Sequence, residues 1–370
     1  MILHFITDDK FSDYAIRQFA GDEMCSKFIL VSNSSELKYT SQVEYVKVVN
    51  PDSEEFSIVL NTLSQFKAVV LHGMFWPWEE RIIEAIPDGV KLGWVFWGGE
   101  IYGRSDLVNG FLAPKTKCMY FRKKLSRWIK SGFRIENKYE IPKKCFRRID
   151  YCLTDVHEDF LFAQNFIGGR MKELWYNYYS VEETVGGLYE ARCSGDDVLL
   201  GNSCSIEGNH LDMFDFINRV PSIKAKRLYA PLSYGEVWLR NVLSAKGKAL
   251  FPDFHPLVDF IPRDEYNGII QRCSTVVMNH YRQQAFGNIL TSLWLGARVF
   301  MSKNSLLYEY FKRIGCSVFC VEDDLNVSNS QLNTPLSSDE LEITRSAIFT
   351  LYSKEAMRQR IIEAVNELDS

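Results

Sequence analysis

Short apolar runs separated by longer mixed stretches set the rhythm of the chain. Runs rich in β-branched and aromatic residues at Ile2–Thr7, Phe28–Val31, Glu44–Val49, Ala68–His72, Trp94–Trp97 and Tyr151–Thr154 predict strands. Helical or irregular connections separate most of them, the order expected of an open parallel sheet. A second alternating set follows at Val198–Gly201, Arg227–Ala230, Ala249–Phe251, Ser274–Met278, Arg298–Met301 and Ser317–Val321. Helices are predicted there over Asn209–Val220, Glu236–Lys246 and Arg263–Cys273. The stretch Val181–Gly195, VEETVGGLYEARCSG, is polar and weakly periodic and reads as the boundary between two domains. After a polar segment, SSDELEITRS opens a terminal helix with a serine cap and an acidic first turn. The expected division is 1–185, 190–337 and a helical segment 338–370. Two successive α/β domains predict a ligand held in the cleft between them.

Composition narrows the class. With 370 residues, 46% of them apolar and 24% charged, the chain fits two soluble domains with cores of their own. No apolar run reaches the length of about 18 residues that spanning a membrane needs. The start, MILHFITDDK, lacks a basic region, and Asp8 and Asp9 interrupt it early, so it reads as a strand rather than a secretion signal. Nine cysteines without C-x-x-C spacing suit a reducing compartment, hence a cytoplasmic protein. The net charge of −4 conceals an asymmetry: Lys115–Arg148 holds 13 Lys and Arg against Glu136 and Glu140. Tyr120, Phe121, Trp128 and Phe133 interrupt this basic stretch. A solvated helix face, a nucleic-acid patch and a membrane-surface patch are all compatible with it.

Familiar signatures are missing. There is no G-x-G-x-x-G, no Walker P-loop, no Asp-x-Asp and no metal-ligand spacing, so metal-free chemistry without a cofactor is expected. What remains are polar loops at strand ends. LLGNSCSIEGNHLDMF places Asn202 and Ser203 after a strand, with Asn209 as the cap of a helix starting near His210. APLSYG places Ser233 and Tyr234 after the next strand. NHYRQQAFGN places Arg282, Gln283 and Gln284 between the strand at Ser274–Met278 and a helix opening at Gly287 and Asn288. Such loops expose N–H groups to an anion, and an arginine there suits a diphosphate. In the first half, LHGMFWPWEE sets His72 at a strand end, and VFWGGEIYG sets Glu100 and Tyr102 after another. His72 or Glu100 could act as a general base, with Asp8 and Asp9 as further candidates.

These segments together resemble the TDP-N-acetylfucosamine:lipid II N-acetylfucosaminyltransferase family, also known as 4-alpha-L-fucosyltransferases. The resemblance rests on His72-Gly73, Trp97 to Tyr102, Gly201-Asn202-Ser203, Asn209-His210, Pro231 to Gly235 and Asn279 to Asn288, in order along most of the chain. It implies the α/β GT-B fold: two Rossmann-like domains facing a cleft, with a C-terminal helix returning to the first. It implies transfer of a deoxyamino sugar from a dTDP-activated donor to a polyprenyl-diphosphate-linked glycan at the inner face of the bacterial membrane. Asn202, Ser203, His210, Ser233, Tyr234, Arg282, Gln283, Gln284, Gly287 and Asn288 would then bind the sugar donor, and Phe260-Ile261-Pro262 would contact its base. Glu100 and His72 would be catalytic, with Tyr102 and Asp8 toward the acceptor; the family carries Asp where this chain has Glu100. Retaining GT-B enzymes often carry Glu-x₇-Glu, and Gln284 and Ser292 stand at those positions here, which favours inversion. In this setting Lys123, Lys124, Arg127 and Trp128 become a docking surface for an anionic membrane, and no nucleic-acid partner is expected. A UDP-hexose transferase, a nucleotide-sugar epimerase or hydrolase, and a non-catalytic binding partner are the alternatives.

Overall fold

The computed structural model describes residues 1–20, 26–34, 36–130, 139–329 and 331–370. The chain divides into two units, each built on its own parallel sheet. Unit 1 comprises Met1–Arg104, Asn137–Ser180 and Lys354–Ser370; unit 2 comprises Ser105–Glu136 and Val181–Ser353.

The strands of unit 1 are β1 (Ile2–Thr7), β2 (Ser26–Val31), β3 (Val46–Val49), β4 (Ala68–His72), β5 (Lys91–Val95), β6 (Tyr151–Thr154) and β7 (Lys172–Trp175). Their order is β3-β2-β1-β4-β5-β6-β7. β1 and β4 are apolar on both faces because helices cover both sides of a parallel sheet. The helix Lys354–Asp369 supplies Ile361, Val365 and Leu368 to the core formed with Ile2, Ile6, Phe19 and Phe28.

Unit 2 holds β8 (Asp197–Leu200), β9 (Leu228–Pro231), β10 (Phe254–Leu257), β11 (Cys273–Met278), β12 (Arg298–Met301) and β13 (Val318–Cys320), in the order β10-β9-β8-β11-β12-β13. The core packs Val198, Leu200, Phe214, Phe254, Val277 and Phe300 together. The helix Ser338–Tyr352 begins as its sequence predicts: the Ser337 hydroxyl accepts from the Glu340 N–H at 3.3 Å, and the Glu340 carboxylate accepts from the Ser337 N–H at 2.8 Å.

In both sheets, all of whose strands are parallel, the order of strand addition reverses at one place, between β1 and β4 and between β8 and β11. Connections leave such a pair of strands toward opposite faces, which opens a crevice at their carboxyl ends where ligands bind. The loops that matter are therefore those after β1, β4, β8 and β11.

Several expectations need correction. Residues 249 and 250 end the helix Val237–Leu250, so the apolar run Ala249–Phe251 is helix and connection; the edge strand is β10, four residues on. Trp94–Trp97 is shifted, since β5 ends at Val95 and Trp97 lies in the loop. β7, KELW, opens on two adjacent charged residues and carries too little apolar signal to be foreseen. The expected first domain, 1–185, loses Ser105–Glu136 to unit 2. The C-terminal segment, 338–370, is split, its first helix staying in unit 2 and Lys354–Ser370 joining unit 1.

Candidate functional site

The loops after β8 and β11 meet in unit 2. Gln284 is buried, and its Nε2 lies 2.8 Å from Asn202 Oδ1, 3.0 Å from Ser203 Oγ and 2.8 Å from Ser205 Oγ. One amide nitrogen carries two hydrogens, so these three oxygens share two donors. Asn202, Ser203 and Gln284, separated by about 80 positions in sequence, thus form one polar cluster; Ser205 joins it without having been foreseen. Gln284 Oε1, Arg282 Nε and Asn279 Oδ1 are buried with no hydrogen-bond partner among the described residues. Arg282 also donates from Nη1 to the Gln283 carbonyl at 2.9 Å. The helix Phe286–Leu295 starts immediately beyond, with Gly287 in its first turn.

Two residues other than glycine have positive φ among the described residues, Asn209 (52°) and Ala285 (64°). They precede the helices His210–Asn218 and Phe286–Leu295, in the connections that follow β8 and β11. Such a conformation costs on the order of 1–3 kcal/mol and persists only where surroundings impose it. For Asn209 the surroundings are identifiable. Its Oδ1 accepts from the Ala113 N–H at 2.8 Å, and its Nδ2 donates to the Phe111 and Asn279 carbonyls, each at 3.0 Å. It occupies the N-cap position but makes no capping bond, so its expected role as a helix cap is corrected.

Histidines lie beneath this surface. His280 donates from Nε2 to the Gln284 carbonyl at 2.8 Å, which fixes its tautomer. Burial, then the Arg282 charge and His210, push its pKa down to about 3. His210 is buried too, with its pKa lowered to about 4 by desolvation. Its ring fills the space left by two glycines: a Cβ on Gly201 would approach Nε2 to 2.5 Å, and one on Gly208 would approach Cε1 to 2.7 Å. His210 thus packs beneath both glycines, and its Nδ1 and Nε2 are buried with no hydrogen-bond partner among the described residues.

The other expected contacts separate. Asn288 donates to the hydroxyl of half-buried Tyr266 at 3.1 Å. Gln283 is half-buried in the loop. Beyond β9, the Ser233 carbonyl accepts from Arg240 Nη2 at 3.1 Å, while the Tyr234 side chain is exposed and its carbonyl accepts from the Cys204 N–H at 2.6 Å. Phe260, past the end of β10, is 71% exposed.

In unit 1 the structure redistributes the expected roles. His72 is buried between His4 and Tyr178: Nε2 lies 3.0 Å from His4 Nδ1, and Nδ1 lies 3.0 Å from the Tyr178 hydroxyl. Trp97 Nε1 donates to the same hydroxyl at 2.7 Å. Desolvation lowers the His72 pKa to about 3 and that of His4 well below its usual value. His72 thus links His4 to the Tyr178 hydroxyl inside unit 1. Glu100 is buried, and its Oε1 accepts from the Trp94 indole and the Trp97 N–H, both at 3.0 Å. This carboxylate braces the loop after β5. Tyr102 is wholly buried and donates to Asp159 at 2.5 Å, so it does not present itself to an acceptor. Asp8 accepts from the N–H groups of Lys38 (2.6 Å), Tyr39 (3.0 Å) and Thr40 (2.9 Å) and the Thr40 hydroxyl (3.0 Å). Burial raises its pKa, but these bonds together outweigh it and the net shift is downward. Asp8 anchors the 38–40 loop.

Asp9 differs. It is half-buried at the end of β1, accepting from the Phe11 N–H at 2.7 Å and the Thr7 hydroxyl at 2.8 Å. Burial raises its pKa against those bonds. Phe11, next to it, stacks on Tyr178 and meets Trp97 edge-on, with ring centroids 4.7 and 5.2 Å apart. A carboxylate beside an aromatic floor is what the switch point of unit 1 offers. The sequence offers Asp8 and Asp9 together as further candidates, and nothing local separates the two.

The foreseen basic residues lie on the helix Pro114–Lys130 of unit 2. Lys123 Nζ stands 4.9 Å above the Trp238 ring, and Arg127 pairs with Glu236 at 3.1 Å. Both pair within unit 2, although the Arg127 side chain stays 61% exposed; Lys124 and Trp128 are exposed as well. Residues 131–138, including Phe133 and Glu136, lie outside the described residues. Among the described residues no group of three His, Cys, Asp or Glu is arranged to hold a metal ion, and no helix is long and apolar enough to cross a membrane.

No family model matches the chain, and no curated protein matches it in sequence. Solved structures do. Sucrose-phosphate synthase from Thermosynechococcus elongatus superimposes with a TM-score of 0.63 at 10% identity, over 99% of this chain and 98% of that one. Anabaena HepE, in complex with UDP and glucose, gives 0.63 at 10% identity over 99% of each chain. Trehalose-6-phosphate synthase from Burkholderia multivorans gives 0.58 at 9% identity, over 99% of this chain and 95% of that one. With two parallel Rossmann-like sheets and these neighbours, the fold is GT-B.

Proposed function

We propose that the chain is a glycosyltransferase whose unit 2 binds a nucleotide-diphosphate sugar and whose unit 1 receives the acceptor hydroxyl. The observation carrying this reading is the surplus of donors at the β8–β11 switch point. Arg282 Nε is buried without a partner among the described residues, Ser203 and Ser205 accept from Gln284 and so keep their hydroxyl protons, and the helix Phe286–Leu295 starts two residues after Gln284; a diphosphate is the ligand such a set suits. HepE, solved with UDP and glucose, supports a pyrimidine nucleotide, UDP or dTDP, with Phe260 exposed to stack on its base. The resemblance in the strand-end loops supports a deoxyamino sugar and a polyprenyl-diphosphate-linked acceptor in bacterial surface-glycan synthesis.

The step is a displacement at the anomeric carbon. The acceptor oxygen forms the new C–O bond, the bond to the diphosphate breaks, and the nucleoside diphosphate leaves with the electron pair. Arg282 and the helix N–H groups stabilise the charge growing on the leaving oxygen. The acceptor proton passes to a carboxylate, and Asp9 replaces Glu100 in that role because it is half-exposed with a raised pKa. No metal takes part, so turnover is expected to survive chelation by EDTA.

The test is isothermal titration of UDP, dTDP, GDP and ADP and their sugars against wild type and Arg282→Ala. Binding of one pyrimidine nucleotide, weakened about 10- to 100-fold in the variant, is expected for a charged hydrogen bond. Absence of nucleotide binding, or binding indifferent to Arg282, overturns the assignment. Consumption of the sugar donor without acceptor would instead identify an epimerase or hydrolase.

A further inference from the structure

The helix Pro114–Lys130 carries a second amphipathic face that nothing in the sugar-donor site uses. Its first turns are fastened to unit 2. Asp212 accepts from the Lys115 and Thr116 N–H groups, each at 2.9 Å, and from the Thr116 hydroxyl at 2.8 Å. Lys115 also pairs with Asp215. Thr116 is buried, Met119 packs on the core of unit 2, and Lys123 and Arg127 reach Trp238 and Glu236. These residues mark the side of the helix turned to the protein.

At about 100° per residue, Phe121, Leu125, Trp128 and Ile129 fall on the opposite side, within an arc of about 100°. They are 45%, 54%, 40% and 58% exposed. Four large apolar side chains on one exposed stripe differ from the scattered exposed apolar residues of ordinary surfaces. On the same projection Lys117 and Lys124 border the stripe on one side and Arg122 on the other, all exposed. The helix holds seven Lys and Arg and no acidic residue, in a chain whose net charge is −4.

We infer that this outer face of the helix Pro114–Lys130 docks onto an anionic lipid surface, with Phe121, Leu125, Trp128 and Ile129 entering the headgroup boundary. Charge selects the occupant. A second copy of a net-acidic chain would have to present a complementary acidic face, whereas an anionic leaflet neutralises the flanking lysines along the whole stripe. Long basic side chains keep their charged ends among the headgroups while their stems lie over the apolar stripe. The assignment corrects the sequence expectation in its particulars: Lys124 and Trp128 remain in the docking face, Lys123 and Arg127 leave it, and Phe121, Leu125, Ile129 and Lys117 enter. It stands apart from the choice of sugar donor, because vesicle binding needs no nucleotide.

The experiment is co-sedimentation of the full chain with phosphatidylcholine vesicles, with and without phosphatidylglycerol. Wild type is expected to bind the mixed vesicles and to release in high salt. Phe121→Ser/Leu125→Ser/Ile129→Ser should weaken binding about tenfold or more, and Lys117→Gln/Lys124→Gln should weaken it about tenfold and flatten its salt dependence. Lys123→Gln/Arg127→Gln should stay within about twofold of wild type, being on the inner side. Quenching of tryptophan fluorescence by brominated lipid should fall in Trp128→Phe while binding persists. Each variant's urea midpoint is measured to confirm that it folds. Wild-type binding by the triple serine variant, or equal losses in the inner and outer charge pairs, overturns the inference. So does self-association of wild type that the triple variant abolishes, which would assign the face to a second copy.

Discussion

Replacing Asn209 by Asp changes one NH₂ into an oxygen at a site with no access to water, and the structure fixes what should follow. If Asn209 acted as a helix cap, aspartate would serve as well and would interact favourably with the helix N-terminus. In the observed arrangement the Nδ2 group points at two carbonyl oxygens, those of Phe111 and Asn279, both 3.0 Å away. A carboxylate there would lose two hydrogen bonds and face two lone pairs. Protonation limits the damage: an aspartic acid can donate to one carbonyl and still accept from the Ala113 N–H. Holding it neutral about three pH units above its ordinary pKa costs about 4 kcal/mol near pH 7. Asn209→Asp is therefore expected to destabilise unit 2 by about 3–5 kcal/mol near neutral pH.

The sign of the pH dependence follows. The folded-state pKa of the new acid is raised, so the folded variant binds more protons than the unfolded chain. Its deficit relative to wild type shrinks by about 1.4 kcal/mol for each pH unit lowered. Urea unfolding of both proteins near pH 7 and pH 5.5, with amide exchange of peptides covering His210–Asn218, measures the deficit and its slope. A deficit below about 0.5 kcal/mol, or one independent of pH, would refute the bridging role and restore the cap.

Other consequences can be checked separately. Arg282→Ala should cost about 10- to 100-fold in nucleotide affinity, read by titration calorimetry, if the proposed charged contact to the diphosphate is made. Asp9→Asn should lower kcat by about 10²- to 10⁴-fold with little effect on KM, whereas Glu100→Gln, which keeps an oxygen for Trp94 and Trp97, should retain most turnover; the opposite ranking would return the base role to Glu100. His72, His210 and His280, with folded pKa values near 3, 4 and 3, stay neutral in the folded state while the unfolded chain protonates them below about 6.5. Stability should be complete above that pH and fall by up to about 1.4 kcal/mol per unit per ring as the pH drops toward 4; urea midpoints unchanged between about pH 7 and pH 5 would contradict their burial as neutral rings.

The strands at β1, β4, β6 and β12 were legible to the residue because fully buried parallel strands are unbroken apolar runs bounded by polar loops. β10 was not, since the helix before it ends in Ala249 and Leu250 and carries the stronger apolar signal. In the site, Asn202, Ser203, Arg282 and Gln284 could be named from their place after strands. That one amide nitrogen joins Asn202, Ser203 and Ser205 is long-range information that no local pattern holds. The same applies to Asp212, whose carboxylate receives the N-terminus of a helix nearly a hundred residues away. Glu100, Tyr102 and His72 show the same limit: polar residues at strand ends look alike whether they face a crevice or close a buried network.

The placement of strain carries the last step of the argument. Asn209 and Ala285 adopt left-handed backbone geometry in the two connections that flank the unit 2 switch point, and for Asn209 the bonds that impose it are visible. Ala285 has no side-chain bond to hold it, so its geometry is held by the backbone on either side: Gln284, locked to the β8 loop, and the helix that starts at Phe286. Releasing Gln284 should therefore let Ala285 relax and shift the first N–H groups of that helix. A site whose donors are held in place before the ligand arrives loses less entropy on binding and needs less rearrangement as charge develops on a leaving group. Gln284→Ala should then weaken nucleotide binding although Gln284 itself is buried, and Ala285→Gly in the same background should weaken it further by freeing the turn. Restoration of affinity by glycine would mean that the turn is strained against the ligand rather than for it.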